Sequence, residues 1–238
     1  VAAYRETQRR RGNYREALRL AFEQHKSLAV GLKGIQQQRT IDQAFEQTLT
    51  GETLVDMMAL DLIIGSGGVL SHAPRRQQSA LMMIDAFMPE GVTRLAVDSI
   101  FMMPQLGVLA AVHEEAAMQV FWRDCLIPLG TCIAPRGSAK PGDRCLTVEL
   151  NGTAHDIAFG DVLRLELPEG RTATARIAPA RGFDVGPGRG EKREALVHGG
   201  VVGLIIDCRG RPLSLPASAE ARTAALTRLY RCLDIYPG

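Results

Sequence analysis

The sequence has few aromatic residues, almost no net charge and no long apolar run. Aromatic side chains make up 5% of the 238 residues, and 28 Lys and Arg residues oppose 26 Asp and Glu residues, a net charge of +2. So small a charge argues against a nucleic-acid partner. No uninterrupted apolar stretch approaches the roughly 20 residues that span a bilayer, so we expect no membrane partner. The 46% of hydrophobic residues is enough to form a folded core.

Cysteine and histidine are also sparse, and their spacing argues against disulfide bonds and against metal binding. The cysteines are odd in number and contain no Cys-x-x-Cys pair; they lie at positions 125, 132, 145, 208 and 232. This argues against a disulfide framework and against a zinc site. The five histidines show no paired spacing, so we predict no metal site. We expect reduced, mostly buried thiols in a cytoplasmic protein.

Familiar nucleotide and hydrolase motifs are absent as well. The chain contains neither a Gly-x-x-x-x-Gly-Lys-[Ser/Thr] sequence nor a Gly-x-Gly-x-x-Gly after a strand. Conventional P-loop and Rossmann sites are therefore excluded. No Gly-x-Ser-x-Gly surrounds Ser71, so the sequence lacks a hydrolase nucleophile elbow. No complete catalytic constellation is predicted.

What the first half of the chain does contain is the pattern of an α/β layer. An amphipathic helix is predicted from about Tyr4 to Lys33, with Gly34 as its C-cap. Thr40–Gln47 fits either a short strand or a further helix. Asp61–Ile64 predicts a buried strand, and a glycine turn follows it directly.

That turn, Gly65-Ser66-Gly67-Gly68, leads to Pro74, which suits the first turn of a helix over Arg75–Met88. Thr93–Val97 predicts the next strand, so strand, turn, helix and strand alternate as in an α/β layer. Two further helices are predicted, Pro104–Val112 and Glu114–Leu126, the second ending near Pro128 and Gly130.

The glycine turn is the strongest candidate site, and two interpretations of it stay open. Bare glycine backbone at the end of a strand lets a nucleotide approach the main chain closely. The alternative is a tight connection from strand to helix that binds nothing. Asp61, Asp85 and Asp98 lie near the ends of the predicted elements, where each would either approach a ligand or act as a cap or surface carboxylate.

Beyond about residue 136 the pattern changes to alternating strands. They are predicted at Leu146–Leu150, Val162–Leu167, Thr172–Ile177 and Val201–Ile206, with turns at Asn151-Gly152 and Glu169-Gly170. The glycine-rich, basic segment Gly182–Arg193 would be either a hairpin loop or an anion- or partner-binding surface. A helix over Ala217–Leu233 closes the chain, capped by Ser218, with Leu226, Leu229 and Leu233 facing inward. We therefore predict three parts: a partial α/β domain at 1–137, a small antiparallel β unit at 138–216 and a terminal helix at 217–238.

Several of these segments together resemble one protein family. The run Leu62–Arg76, with its central glycines, is similar to the main motif of the glutamate mutase accessory family, called GlmL or MutL and unrelated to the mismatch-repair protein. Further similar segments are Leu95–Leu109, Leu129–Pro135 and Gly199–Leu213. The resemblance covers most of the chain.

The resemblance implies a fold and a ligand. The family resembles the actin, Hsp70 and sugar-kinase superfamily of ATPases, with a ribonuclease H-like fold. Gly65, Ser66, Gly67 and Gly68 would match its adenosine motif, and Arg75 and Arg76 would border the pocket for ATP or ADP. The family is thought to serve adenosylcobalamin-dependent mutases as a chaperone-like accessory factor, so mutase subunits are the implied partners.

The sequence also departs from that superfamily. Its members hold the phosphates and Mg²⁺ with two further loops that carry Asp and Gly, and neither loop is found here. Because the chain begins with Val1 inside a helical pattern, we expect it to be the C-terminal portion of a protein whose N-terminal half carries those loops. Phosphoryl transfer depends on such charge stabilisation, so we expect no ATP hydrolysis by this chain alone. The alternative is a protein-interaction module in which the glycine turn is purely structural.

Overall fold

The structure is a computed structural model that describes residues 2–29, 55–213 and 216–235. The chain divides into two compact units, Val1–Asp56 and Met57–Gly238. The described part of the first unit contains helix α1 (Ala2–Leu28), which confirms the predicted N-terminal helix but ends earlier than expected. The predicted cap Gly34 and the segment Thr40–Gln47 lie outside the described residues.

The second unit is a mixed α/β structure, as the sequence predicts. A short 3-10 turn at Met57–Ala59 precedes its strands and helices. The strands are β1 (Leu62–Gly65), β2 (Gly91–Asp98), β3 (Leu126–Ala134), β4 (Arg144–Leu150), β5 (Thr153–Ala158), β6 (Val162–Leu165), β7 (Thr172–Pro179), β8 (Arg193–His198) and β9 (Gly203–Asp207). The helices are α2 (Gly68–Ser71), α3 (Arg76–Phe87), α4 (Met103–Val120) and α5 (Ala219–Cys232), and a π-helical turn at Phe121–Cys125 follows α4.

Five of these strands form one mixed sheet in the order β1-β2-β3-β9-β6. Strand β1 runs parallel to β2, with Gly65 opposite Val97. Strand β3 is antiparallel to β2 and parallel to β9. The parallel pair β1 and β2 is joined by α3, the usual crossover for parallel neighbours. The carboxyl ends of β1 and β2 therefore lie side by side.

Helix α3 is packed deeply against this sheet. All its residues from Gln78 to Ala86 are buried, and Met83 and Ile84 are fully inaccessible. A helix apolar on several faces is expected in such a position. Each large apolar side chain buried there contributes about 1.5–3 kcal/mol to the stability of the fold. Helix α3, which follows the glycine turn, is thus fixed in place by its buried side chains.

The other four strands form an antiparallel sheet in the order β5-β4-β7-β8. The predicted Asn151-Gly152 turn is confirmed, and both residues have positive φ, 51° and 80°. They join β4 to β5 as a tight hairpin. The two sheets share one apolar core, to which the four-stranded sheet contributes Val148 and Ile177 and the five-stranded sheet Ile133 and Ile206.

Sheet membership differs from the sequence prediction. Segments Val162–Leu167 and Val201–Ile206 do form strands, β6 and β9, but these lie in the five-stranded sheet. Strands β5 and β8 of the antiparallel sheet were not predicted. Alternation identifies a strand without identifying its neighbour, so this assignment was wrong. The proposed division at residues 137 and 216 stays a prediction.

The helical region after β2 also differs. The two helices predicted on either side of His113 are one helix, α4, with a kink at that residue (φ −150°, ψ 84°). Pro128 and Gly130, expected to end a helix, lie inside strand β3. Leu95 pairs with Gly130 and Ala96 with Pro128, so Leu129 is an extra residue in β3. Such a bulge is where a strand tolerates proline.

Three predictions about helices α3 and α5 have different outcomes. Ser218 does cap α5, because its hydroxyl accepts a hydrogen bond from the Ala221 N–H at 3.1 Å. Leu229 and Leu233 are buried, but Leu226 is 41% exposed, so its inward orientation was wrong. Pro74 does not open α3, which begins at Arg76.

The described helices include none with both the length and the apolar character to cross a membrane. All five cysteines are free, four of them buried and Cys232 partly buried, as the sequence predicts.

Backbone contact between β3 and β9 leaves no room for side chains. A Cβ added at Gly130, where φ is +134°, would lie 1.8 Å from the carbonyl oxygen of Gly203. A Cβ at Gly200 would lie 2.4 Å from the carbonyl carbon of Leu129. These glycines therefore set how closely the strands and the loop before β9 approach.

We expect Gly130→Ala to lower the free energy of unfolding by at least about 3 kcal/mol, because both the clash and the positive φ oppose a Cβ. Gly107→Ala is the control, since a Cβ at Gly107 in α4 would meet nothing within 4 Å. Alanine in a helix interior should raise stability by about 0.5–1 kcal/mol. Equilibrium urea unfolding measures both values. A Gly130→Ala protein as stable as the unsubstituted protein would contradict this explanation.

Candidate functional site

The glycine turn lies at the carboxyl end of β1, beside the carboxyl end of β2. Gly65 is the last residue of β1 and Asp98 the last of β2. In α/β sheets, ligands bind most often at the carboxyl ends of the strands. The structure therefore places the predicted site at the edge of the sheet where binding is expected.

The glycines of the turn differ in their surroundings. A Cβ at Gly65 would lie 2.8 Å from Leu70 Cδ1 and 2.9 Å from Met83 Sδ, so this glycine is needed for packing. A Cβ at Gly67 or Gly68 would meet no atom within 4 Å. The predicted set thus separates into one packed glycine and two that leave open space above the main chain.

Gly67 and Gly68 also differ in backbone conformation. Gly67 has φ +106°, which other residues adopt only with strain, whereas Gly68 lies outside the positive-φ region. The Gly67 carbonyl accepts hydrogen bonds from the N–H groups of Leu70 and Ser71, both at 3.0 Å, and so starts helix α2. Gly68 can therefore be substituted without backbone strain, and Gly67 cannot.

Asp98 connects this turn to the start of α4. Its carboxylate accepts a hydrogen bond from Ser66 Oγ at 3.2 Å. It also accepts hydrogen bonds from three backbone N–H groups, those of Ile100 (3.3 Å), Met102 (3.2 Å) and Met103 (3.0 Å). The backbone carbonyl of Asp98 accepts a further hydrogen bond from Ser71 Oγ. Of the three carboxylates considered from sequence, Asp98 alone adjoins the glycine turn.

Asp98 is fully buried yet ionised. Burial by itself raises the pKa of a carboxyl group, but the hydrogen bonds from Met103, Met102, Ile100 and Ser66 outweigh that effect. The pKa of Asp98 therefore lies below its usual range. The hydrogen bonds donated by one hydroxyl and three backbone N–H groups stabilise this charge.

The two predicted pocket arginines are hydrogen-bonded elsewhere. Arg75 Nη1 donates to the Asp234 carbonyl oxygen at 2.6 Å and lies 3.4 Å from the Asp234 carboxylate. Arg76 Nη1 donates to the carbonyl oxygen of Ser71, at the end of α2, also at 2.6 Å. Arg76 thus stays next to the turn, whereas Arg75 contacts the end of the chain. Their role in bordering a ligand stays a prediction.

The other two carboxylates, Asp85 and Asp61, do not contact the glycine turn in the hydrogen bonds and ion pairs described for them. Asp85 lies 2.8 Å from Arg209, which also binds Asp207 at 2.8 Å through two nitrogens. Arg211 completes this buried charge network with a 3.0 Å contact to Asp207. Burial opposes ionisation of Asp207, but the two arginines outweigh it and hold its pKa far below the usual range. Asp61 is exposed, and its carbonyl accepts the Arg94 N–H at 2.8 Å.

The glycine-rich segment 182–193 is organised around Asp184. One carboxylate oxygen of Asp184 accepts the N–H groups of Gly186 and Gly188 at 2.7 and 3.0 Å. Arg193 points back into the loop and donates to the Val185 carbonyl at 2.7 Å. Within residues 2–29, 55–213 and 216–235, no group of three or more His, Cys, Asp or Glu side chains is arranged to hold a metal ion.

Asp98→Asn should destabilise the fold in a pH-dependent way. An ionised Asp98 stabilises the folded state above the unfolded pKa of about 3.9, and this contribution is lost as pH falls through the lower folded pKa. The variant should lose about 1–3 kcal/mol at pH 7, and the difference should shrink below about pH 4.

Urea unfolding between pH 3 and 8 measures this difference. Asp124→Asn serves as the control, because the Asp124 side chain is 56% exposed in the π-helical turn, and its effect should be small at every pH. An Asp98→Asn penalty that stayed constant down to pH 3 would show that the charge is not what matters.

Comparison with known proteins gives one result. A family model described as "MutL protein" matches residues 4–125, which include the glycine turn, β2 and Asp98. No curated protein and no solved structure matches the chain. The match covers just over half of the sequence and agrees with the resemblance drawn from the glycine motif. The chain therefore belongs to the MutL family, the glutamate mutase accessory family, which is distinct from the mismatch-repair proteins of the same name.

Proposed function

We propose that this chain carries the adenosine-binding half of an actin-like nucleotide site, formed by Gly67 and Gly68 with Ser66 beside them. In this proposal the protein acts as a nucleotide-dependent, chaperone-like accessory factor for an adenosylcobalamin-dependent mutase such as glutamate mutase. Family membership supports the mutase partner. The five free thiols are consistent with the reducing cytoplasm as its compartment.

One observation carries the nucleotide proposal: the open space above Gly67 and Gly68. The purine base of a nucleoside is a flat ring system whose face can lie directly against bare main chain. Such contact requires that no Cβ and no neighbouring side chain occupy the space, and a Cβ placed on either glycine would have no neighbour within 4 Å. The turn also lies at the carboxyl edge of a parallel strand pair, where nucleotides bind in many α/β proteins.

The phosphates and Mg²⁺ of a bound nucleotide need groups beyond the glycine turn. Residues 2–29, 55–213 and 216–235 contain no cluster suited to a metal ion. In the superfamily that the glycine motif resembles, two further loops hold the phosphates and Mg²⁺, and on that resemblance we propose that both loops and the Mg²⁺ ligands belong to an N-terminal half outside this chain. In that case the chain binds the nucleoside without hydrolysing ATP.

Thermal unfolding with ADP tests the site. If the folded chain binds ADP, its melting temperature should rise once ADP exceeds the dissociation constant. Gly68→Leu should weaken binding at least tenfold, because the new side chain fills the open space without backbone strain. Gly107→Leu is matched to it, since Gly107 is also helical, exposed and free of close contacts, and it should keep the full ADP effect.

Two results would count against nucleotide binding at this turn. The first is an unsubstituted protein with no thermal shift at millimolar ADP. The second is a Gly68→Leu protein whose shift equals that of Gly107→Leu, which would place any bound ADP elsewhere.

The alternative function, a protein-interaction module, is favoured by the surface of α4. Only Leu106 and Ala117 of this helix are buried, whereas Val108 is 73% exposed and Val112 88% exposed. The only tryptophan, Trp122, follows in the π-helical turn and is 48% exposed. Exposed apolar side chains in one region mark surfaces that bind other proteins. Mutase subunits are the partners that family membership suggests.

Titration with purified mutase subunits tests this alternative, with Trp122 fluorescence as the signal. Binding over α4 should shift the emission to shorter wavelength, and Val112→Asp should weaken it at least tenfold, because an aspartate there would be desolvated. Leu196→Asp is the control, since Leu196 is 58% exposed on β8 of the other sheet. Equal weakening by both substitutions, or by neither, would exclude α4 as the docking surface.

A further inference from the structure

The side chain of Asp98 receives hydrogen bonds from two separate elements. Ser66, in the glycine turn, donates one of them, and the N–H groups of Ile100, Met102 and Met103, before and at the start of α4, donate the others. The backbone of the same residue accepts the hydroxyl of Ser71. The turn and the start of α4 are therefore in contact through a single carboxylate.

The start of α4 has little else to fix it. Met102 precedes the first helical residue, and its own side chain makes no capping hydrogen bond. The first N–H groups of a helix need partners from outside the helix, and Asp98 supplies them for Met102 and Met103. Since Leu106 is the one buried residue in the first three turns of α4, the position of the carboxylate largely sets where the helix begins.

The hydrogen bond donated by the Ser66 hydroxyl is the contact to Asp98 that a ligand could replace. A serine hydroxyl carries a single proton, so it can donate to Asp98 or to an acceptor on a ligand, but not to both. A nucleoside lying on Gly67 and Gly68 would be next to Ser66 and would present ribose oxygens and purine nitrogens as acceptors. Donation to the ligand would release one of the bonds that hold the Asp98 carboxylate.

We infer that Asp98 is a positioning residue that couples nucleoside occupancy of the glycine turn to the start of α4 through Ser66. This inference rests on the proposed nucleotide site. Coupling of this kind is reciprocal, so whatever changes the start of α4 changes the affinity of the turn by the same factor. The exposed apolar surface of α4 would then depend on the bound nucleotide.

Amide hydrogen exchange, resolved by residue, tests the coupling. Without nucleotide, Ser66→Ala should speed exchange at Ile100, Met102 and Met103 roughly fivefold, the factor expected for one ordinary hydrogen bond. ADP should speed exchange at the same three amides in the unsubstituted protein and have no further effect on them in Ser66→Ala. Ser66→Thr keeps the hydroxyl and should restore the ADP response, which a purely structural role would not require.

The outcomes separate this inference from the nucleotide proposal. Unchanged exchange at the three amides in Ser66→Ala, or an ADP response that persists in that variant, would overturn the coupling. A different result is an unsubstituted protein in which ADP alters neither the turn nor α4, although Ser66→Ala still speeds exchange. That result would overturn the nucleotide site, and with it the coupling, and leave the hydrogen-bond connection itself established.

Discussion

The candidate site depends on keeping one fully buried carboxylate charged. Asp98 is buried at the end of β2, where an unsatisfied charge would cost several kcal/mol. Three backbone N–H groups and one serine hydroxyl meet that cost by donating hydrogen bonds. The turn after β1, the end of β2 and the start of α4 are consequently built around the same group. Removing the charge would affect all three at once.

The three glycines of the turn have different structural requirements. Gly65 is required by the packing of Leu70 and Met83, whichever function the turn has. Gly67 and Gly68 have no such packing reason, because a Cβ on either would meet no atom within 4 Å. Gly67 still needs its positive φ to begin α2. Gly68 has neither constraint, so neither packing nor backbone conformation explains why this position is glycine.

The local parts of the fold could be predicted from sequence, and the long-range parts could not. The succession of β1, turn, α3 and β2 follows from an apolar run, glycines and a helical pattern within about 40 residues. Strand β3 was missed because Pro128 and Gly130 look like helix breakers, and only pairing with β2 shows that they form a bulge. The pairing of β6 with β9 was missed for a similar reason, since alternation does not identify a partner.

The candidate site shows the same limit. The glycines were identified from sequence because their conformational freedom is a local property. Asp98 was noted only as one of three carboxylates near strand ends. Its partner Ser66 lies 32 positions earlier, and only the parallel pairing of β1 with β2 brings the two together. The exposure of α4 could not be predicted from sequence either, because its apolar sequence resembles that of a core helix.

The buried network of Asp85, Asp207, Arg209 and Arg211 has a consequence for how sequences of this family diverge. Losing one member leaves an opposite charge buried without compensation, which typically costs about 3–5 kcal/mol. Replacing all the members together by well-packed apolar residues carries much less penalty. Single substitutions at these four positions are therefore strongly destabilising. We expect relatives either to retain all four charged residues or to have none of them.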